Sequence, residues 1–324
     1  GTNAGTLTLN MTRAALIPYA IKGWELWNST EKWLHSSIGT RKVNGLSLAF
    51  TEEEEELLYE RVQARQAMGA PIKLISGKKA QRLEPGLNNS VRSAAWCAKD
   101  GFTSAYLTGH AFKRALTQEN SAVMEYSKVK GIENDKNNFK IYLENNEHLI
   151  AKRIVLAGGV WLEDMLSWLN VKIPIKCLIN QLIITERMPQ VMKTVLSIAN
   201  GLLSLKQFDN GTVLIGGGWQ GLGDKERGGV EAIPENLKGN IRLACHVIPE
   251  LCYGRMVRVW LGLEAETADA LPVIGNVPGI SNAYVIGSVH SGYTSGPYMG
   301  WLLSQFIMGQ ETEMPLFDPS RLIN

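Results

Sequence analysis

The segment from Ala283 to Gly309 constrains the fold of this chain more than any other. Ala283-Tyr-Val-Ile-Gly-Ser288 is small or apolar along its length and reads as a buried strand. Val289-His-Ser-Gly-Tyr-Thr-Ser-Gly296 has the glycine and hydroxyl content of a loop. Pro297 then suits the first turn of a helix that ends at Gly309. A strand, a glycine loop and a helix start bring free backbone N–H groups and a positive dipole end to one point. Such a point suits an anion or an electron-rich carbonyl edge. A tight connection with no ligand has the same spacing, so spacing alone leaves both readings open.

The rest of the chain supplies an α/β frame for that unit. Its 324 residues allow two domains, or one carrying a large insertion. Apolar periodicity predicts a helix from Ile17 towards Leu34. A second is predicted over Glu52–Met68, with Thr51 as N-cap and Leu58, Val62 and Met68 inside. Arg82 to Asp100 is turn-rich, and a helix follows around Tyr106 to Leu116. Strands are expected at Val123–Val129, Phe139–Leu143 and Arg153–Ala157, the last running into Gly158-Gly159 and a short helix over Trp161–Leu169. A second strand-rich region has its best strands at Leu182–Thr185, Thr212–Gly216 and Val257–Leu261, with a hairpin turn at Asn210-Gly211 and a helix from Pro234 to His246.

Composition excludes several function classes. A net charge of +2 and the lack of a basic run argue against nucleic acid as a partner. Cys97, Cys177, Cys245 and Cys252 form no CxxC pair, so no metal site is expected and reduced thiols are. Pro297 to Met308 is too short for a membrane span. The expected location is the cytoplasm, with peripheral attachment to the inner face of the membrane as the alternative.

Three further motifs complete the pattern. Gly1-Thr-Asn-Ala-Gly-Thr6 is small and polar ahead of a helix. Ala157-Gly-Gly-Val-Trp161 follows a buried strand, where small residues let a ligand lie on the backbone. Trp260-Leu-Gly-Leu-Glu-Ala-Glu-Thr-Ala-Asp269 runs into Leu271-Pro-Val-Ile-Gly275. Together with Gly287–Gly300, these blocks resemble, in order, those of the D-amino-acid oxidase-like flavoproteins, the group that holds glycine oxidase and D-amino-acid dehydrogenases. Within it, Asn3-Ala-Gly-Thr and Gly216-Gly-Gly218 are similar to the FAD subunits of opine and hydroxyproline dehydrogenases and cyanide synthases.

The resemblance implies a Rossmann-like FAD-binding domain with an inserted antiparallel-sheet substrate domain. The FAD-binding domain would comprise residues 1–35, 98–178 and 262–324, and the substrate domain residues 36–97 and 179–261. FAD, bound non-covalently, would lie along Thr2, Asn3, Ala4, Gly5, Val129, Ala157, Gly158, Trp161, Gly262, Gly287, Gly292, Tyr293 and Thr294. Gly216-Gly-Gly-Trp-Gln-Gly221 has the glycine spacing of the dinucleotide fingerprint but lies among the substrate-domain strands and opens no helix, so the first βαβ unit is read as missing from the sequence. Glu264 stands where many relatives carry a carboxylate-binding Arg, which points to a substrate that is cationic, cyclic or anchored elsewhere, with Arg255 and Arg258 nearby. Glu264 and His290 are the candidate catalytic side chains, Glu264 towards substrate and His290 towards substrate or the flavin ring. The implied activity is oxidation of a C–N bond in an amino acid or secondary amine, with electrons passing to a partner subunit or quinone. An O₂-using oxidase, and a non-catalytic subunit or flavin-free relic, stay open beside it.

Overall fold

The computed structural model describes residues 3–135, 138–226, 229–288 and 292–323. Thr2 and His290 lie outside them. The chain divides into two compact units: Gly1–Ala111, Ile179–Gly262 and Tyr293–Ser295 form the first, and Phe112–Leu178, Leu263–Gly292 and Gly296–Asn324 the second.

The first unit is organised by a mixed eight-stranded sheet. Across it the strands run Met256–Glu266, Lys176–Thr185, Val213–Gly216, Ser204–Gln207, Val195–Ile198, Gly45–Ala49, Ser93–Cys97 and Ile72–Ser76. Val195–Ile198 and Gly45–Ala49 pair in parallel, and the Ser204–Gln207 and Val213–Gly216 strands form an antiparallel hairpin. Its turn is the expected Asn210-Gly211, closed by Phe208 N–H donating to Thr212 O at 2.9 Å, with Gly211 at φ 87° where a side chain would be strained. Leu46, Leu48, Leu196, Leu205, Val213 and Ile215 bury one sheet face against Ala244 and Val247 of the Pro234–Val247 helix. Leu58 and Val62 of the Glu52–Ala67 helix join Ile17, Ala49 and Ile72 in a second cluster.

The second unit has its own core around a three-stranded sheet, in which Ile154–Leu156 pairs in parallel with Ala283–Gly287, and Val273–Asn276 pairs antiparallel with the latter. Ile154, Leu156, Leu162, Leu166, Val273 and Val285 are buried there. A three-stranded meander of Val129–Asp135, Asn138–Leu143 and His148–Ala151 adds Ile132 and Phe139. The mixed α/β architecture is the one expected.

Several local expectations are corrected. The helix from Ile17 stops at Trp27, because Asn28 and Ser29 turn their side chains back onto the carbonyls of Trp24, Glu25 and Leu26, and a short helix follows at Thr30–Trp33. Met68 is exposed rather than inside: the Glu52–Ala67 helix ends before it. The turn-rich stretch holds the strand Ser93–Cys97, which pairs with the strands on both sides of it. Val123 and Met124 are exposed in irregular chain, and the strand begins only at Val129. The final helix spans Gly292–Ile307, so Pro297 lies inside it. Proline there removes the N–H that would bond the Tyr293 carbonyl. The Trp27 indole N–H donates to that carbonyl at 2.6 Å and satisfies it from outside the helix.

Among the described residues, no helix is long and apolar enough to cross a membrane, and no group of three or more metal-ligating side chains occurs.

Candidate active site

In the first unit the N-terminal segment is held in place residue by residue. Gly5 N–H bonds Asn3 Oδ1 at 2.7 Å, and Gly5 O accepts from Thr103 N–H at 2.8 Å. Gly5 has φ 69°, and a Cβ there would stand 2.3 Å from Thr103 O, so both conformation and space require glycine. Thr8 N–H donates to Thr294 Oγ1 at 3.2 Å, which ties the segment to the first turn of the Gly292–Ile307 helix.

That helix start is seated on the Ile17–Trp27 helix. A Cβ on Gly23 would lie 2.1 Å from Thr294 O, so only glycine admits the approach. The Tyr293 ring stacks on Trp27 with centroids 5.0 Å apart and planes 7° from parallel. The Tyr293 hydroxyl shares hydrogen bonds with Thr103 Oγ1 at 2.6 Å and Thr108 Oγ1 at 2.7 Å. Burial pushes the phenol pKa up. Tyr293 thus stays a neutral, fixed partner.

Under this assembly sits Asp100, fully buried. It accepts from Leu9 N–H at 2.7 Å, Thr8 Oγ1 at 2.9 Å and Asn10 N–H at 3.4 Å. Burial raises its pKa and those bonds oppose the rise. Gly45 leaves room for it, since a Cβ there would fall 2.3 Å from Asp100 Oδ2.

A cavity of about 420 Å³ opens above the segment. Asn3 and Ala4 form one side, Phe102 to Tyr106 the next, and Phe208, Leu214 and Trp260 supply most of the apolar wall. Arg41 and Asp209 close the rim as an exposed ion pair, the Arg41 Nε donating at 2.9 Å. The Arg258 guanidinium carbon lies 5.9 Å from the Trp260 ring centre. The cavity can hold a small organic molecule between rings, with one cation and one anion at its mouth. A larger cavity in the second unit, about 750 Å³ and bordered by 274–281, offers little chemistry: Asp318 there is committed to Ser320.

Lys206, on the hairpin strand, is buried to 1 % exposure. Its ammonium donates to Ala4 O and to Thr6 Oγ1, the latter at 2.6 Å. It lies 5.7 Å from the Phe102 ring centre and 5.8 Å from that of Phe208. Burial lowers its pKa to about 7.

The structure therefore brings Asn3, Ala4, Gly5, Tyr293 and Thr294 together. In the second unit, Gly158 and Gly287 meet the same short helix: a Cβ on Gly158 would strike Met165 Sδ, and one on Gly287 would strike Leu162 Cδ1. Ala157 and Trp161 follow that strand with exposed side chains, Val129 opens the meander, and Gly292 opens the final helix. Gly262 and Glu264 are half-buried along Met256–Glu266. Arg255 is engaged through its backbone with Glu186. The residues that sequence reading passed over are Arg41, Thr103, Thr108, Lys206 and Phe208.

Two observations test the fit to a flavin nucleotide. Among the described residues, Ser288 Oγ in the second unit and Ser295 Oγ in the first are buried with no hydrogen-bond partner, an arrangement that costs about 1–3 kcal/mol per group unless a ligand or water supplies one. Among the described residues, nothing lies within 4 Å of a Cβ built on Gly159, Gly296 or Gly300, leaving backbone open to a close-lying group. The residues present fit the group.

Comparison with known proteins agrees. The family model described as FAD dependent oxidoreductase matches residues 1–306. An opine oxidase subunit of Rhizobium meliloti is 26% identical over 79% of this chain and 67% of its own length. The hydrogen cyanide synthase subunit HcnC of Pseudomonas aeruginosa is 24% identical over 84% of this chain, and the match spans 64% of that protein. The crystal structure of glycine oxidase from Geobacillus kaustophilus superposes with a TM-score of 0.89 at 22% identity, covering 99% of this chain and 88% of the other, which establishes the shared fold.

Proposed function

Since the chain belongs to the FAD dependent oxidoreductase family, we propose that it oxidises the C–N bond of an amino acid or secondary amine, giving an imine that water hydrolyses. The observation that carries this reading is the ring-walled cavity against Asn3 and Ala4, beside the helix start that Thr8 and Trp27 hold. Bound FAD supplies the hydride acceptor, at its N5.

The chain's own residues do the rest. Phe102, Phe208 and Trp260 give the substrate a low-polarity wall, which favours the neutral amine that gives up hydride most readily. The first-turn N–H groups from Gly292 to Ser295 point out of the helix and present its positive end to a carbonyl edge that gains charge. The stacked Tyr293 and the Thr103–Thr108 pair fix that turn, so its donors need no reorganisation. No side-chain base is required if the amine enters neutral. Asn3, Ala4, Gly5, Val129, Ala157, Gly158, Trp161, Gly262, Gly287, Gly292, Tyr293 and Thr294 are assigned to the cofactor, and Glu264 to the substrate side. The division into an FAD-binding part at 1–35, 98–178 and 262–324 and a substrate part at 36–97 and 179–261 belongs to the same reading.

Transfer of electrons to a partner subunit or quinone is favoured because two relatives are themselves named as subunits. The test is anaerobic titration of the holoprotein with a panel of amino acids and secondary amines. At least one should bleach the visible flavin band, and readmitted O₂ should restore it slowly if the acceptor is a partner. A bound flavin that no amine bleaches would refute the reading.

A further inference from the structure

The rim and the floor of the cavity differ in how they carry positive charge. At the rim, Arg41 Nε and Nη2 both donate to Asp209 Oδ2, so that cation is already answered. At the floor, Lys206 bonds two oxygens, Ala4 O and Thr6 Oγ1, neither of which bears a charge. Its ring partners Phe102 and Phe208 and its acceptor residue Ala4 all line the cavity. The lysine therefore lies one residue layer behind the cavity wall, in a region where charge is weakly screened.

We propose that Lys206 is a positioning residue whose ammonium makes this cavity select a carboxylate-bearing amine over a simple amine. The inference rests on the cavity being the substrate site. An anion in the cavity supplies the countercharge that Lys206 lacks among its bonded partners. The same ammonium fixes the Ala4 carbonyl while Asn3 Oδ1 holds the Gly5 N–H, so the floor keeps one geometry. The charged and titratable groups on the surrounding elements are Asp100 ahead of Gly101–Phe102, Arg41 and Lys42 on the adjoining strand, and Asp209 in the hairpin turn. Asp100 is committed to Thr8, Leu9 and Asn10, and Asp209 to Arg41. Burial lowers its pKa to about 7, so the charge of Lys206 can be switched by pH near neutrality.

Calorimetric titration of the full-chain holoprotein with benzoate, a simple carboxylate, reads this directly, with benzyl alcohol as the uncharged control. Benzoate stays ionised throughout, so its affinity should be highest below about pH 7 and fall about tenfold as Lys206 deprotonates. Benzyl alcohol should show no such step. Lys206→Met should remove the step and leave benzoate at the weaker level. Lys206→Arg should keep the tighter level at every pH, because guanidinium does not deprotonate. That variant also carries the test should the methionine variant fail to fold. A flat benzoate profile in the wild type, or an unchanged step in Lys206→Met, overturns the inference. Amines that still bleach the flavin in that case would leave the proposed oxidation standing.

Discussion

The two units bury different things. Arg65, Glu84, Asp100 and Lys206, the buried charged side chains among the described residues, all belong to the first unit. The core of the second is apolar, and its Arg321–Asp269 ion pair, at 2.7 Å, lies near the surface. Burying a charge is costly and persists only where geometry repays it. In the first unit the repayment is positional: Asp100 anchors residues 8–10, Lys206 anchors residues 4–6, and the Arg65 Nε donates to Thr12 O at 2.8 Å. Three buried charges thus hold one short segment, and its start, at Asn3 and Ala4, walls the cavity.

The contrast can be broken in order of expected effect. Asp100→Ala strands the Leu9 and Asn10 N–H groups and the Thr8 hydroxyl in the interior and should cost about 3 kcal/mol or more, read by urea unfolding. A loss below about 1 kcal/mol would show that the segment does not depend on it. Gly23→Ala forces a methyl into Thr294 O and should cost about 1–3 kcal/mol, with weaker flavin retention on gel filtration because the helix start must shift. Asp269→Ala, in the second unit, removes a partly exposed pair and should cost about 1 kcal/mol or less. Burial opposes ionisation of Asp269, yet bonds from Arg321, Leu271 N–H and Thr267 hold its pKa down to about 2. A depressed carboxylate stabilises above its unfolded value, so this contribution should fade only as pH falls from about 4 towards 2, and acid titration of the variant should lack it.

How much of this the sequence disclosed depended on whether the determinants were local. The Glu52–Ala67 helix was legible because its N-cap is self-contained: Thr51 Oγ1 accepts from Glu54 N–H at 3.2 Å, and the glutamates that follow suit the dipole. The Asn210-Gly211 hairpin and the Ala283–Gly287 strand were legible for the same reason. The start of the final helix was not. A rule placing proline in the first turn puts that start at Pro297, and only a donor 266 positions from the Tyr293 carbonyl in sequence, the Trp27 indole, lets the helix begin at Gly292. The N-terminal motif was recognised, but not what holds it, since Asp100, just ahead of Gly101–Phe102, and Lys206, on the hairpin, reach it from 91 and 202 residues away in sequence. Arg41 and Asp209 were missed likewise, as each looks like an ordinary surface charge until the hairpin turn brings them together.

The claim that the ring-walled cavity is where substrate binds is tested most directly by filling it. Ala105 lines the cavity at the start of the Ala105–Gln118 helix, so Ala105→Trp inserts a large ring there without adding charge. Anaerobic titration of this variant with an amine that bleaches the wild-type holoprotein should leave the visible flavin band intact, at unchanged flavin content. Bleaching at the wild-type rate and concentration would contradict the account.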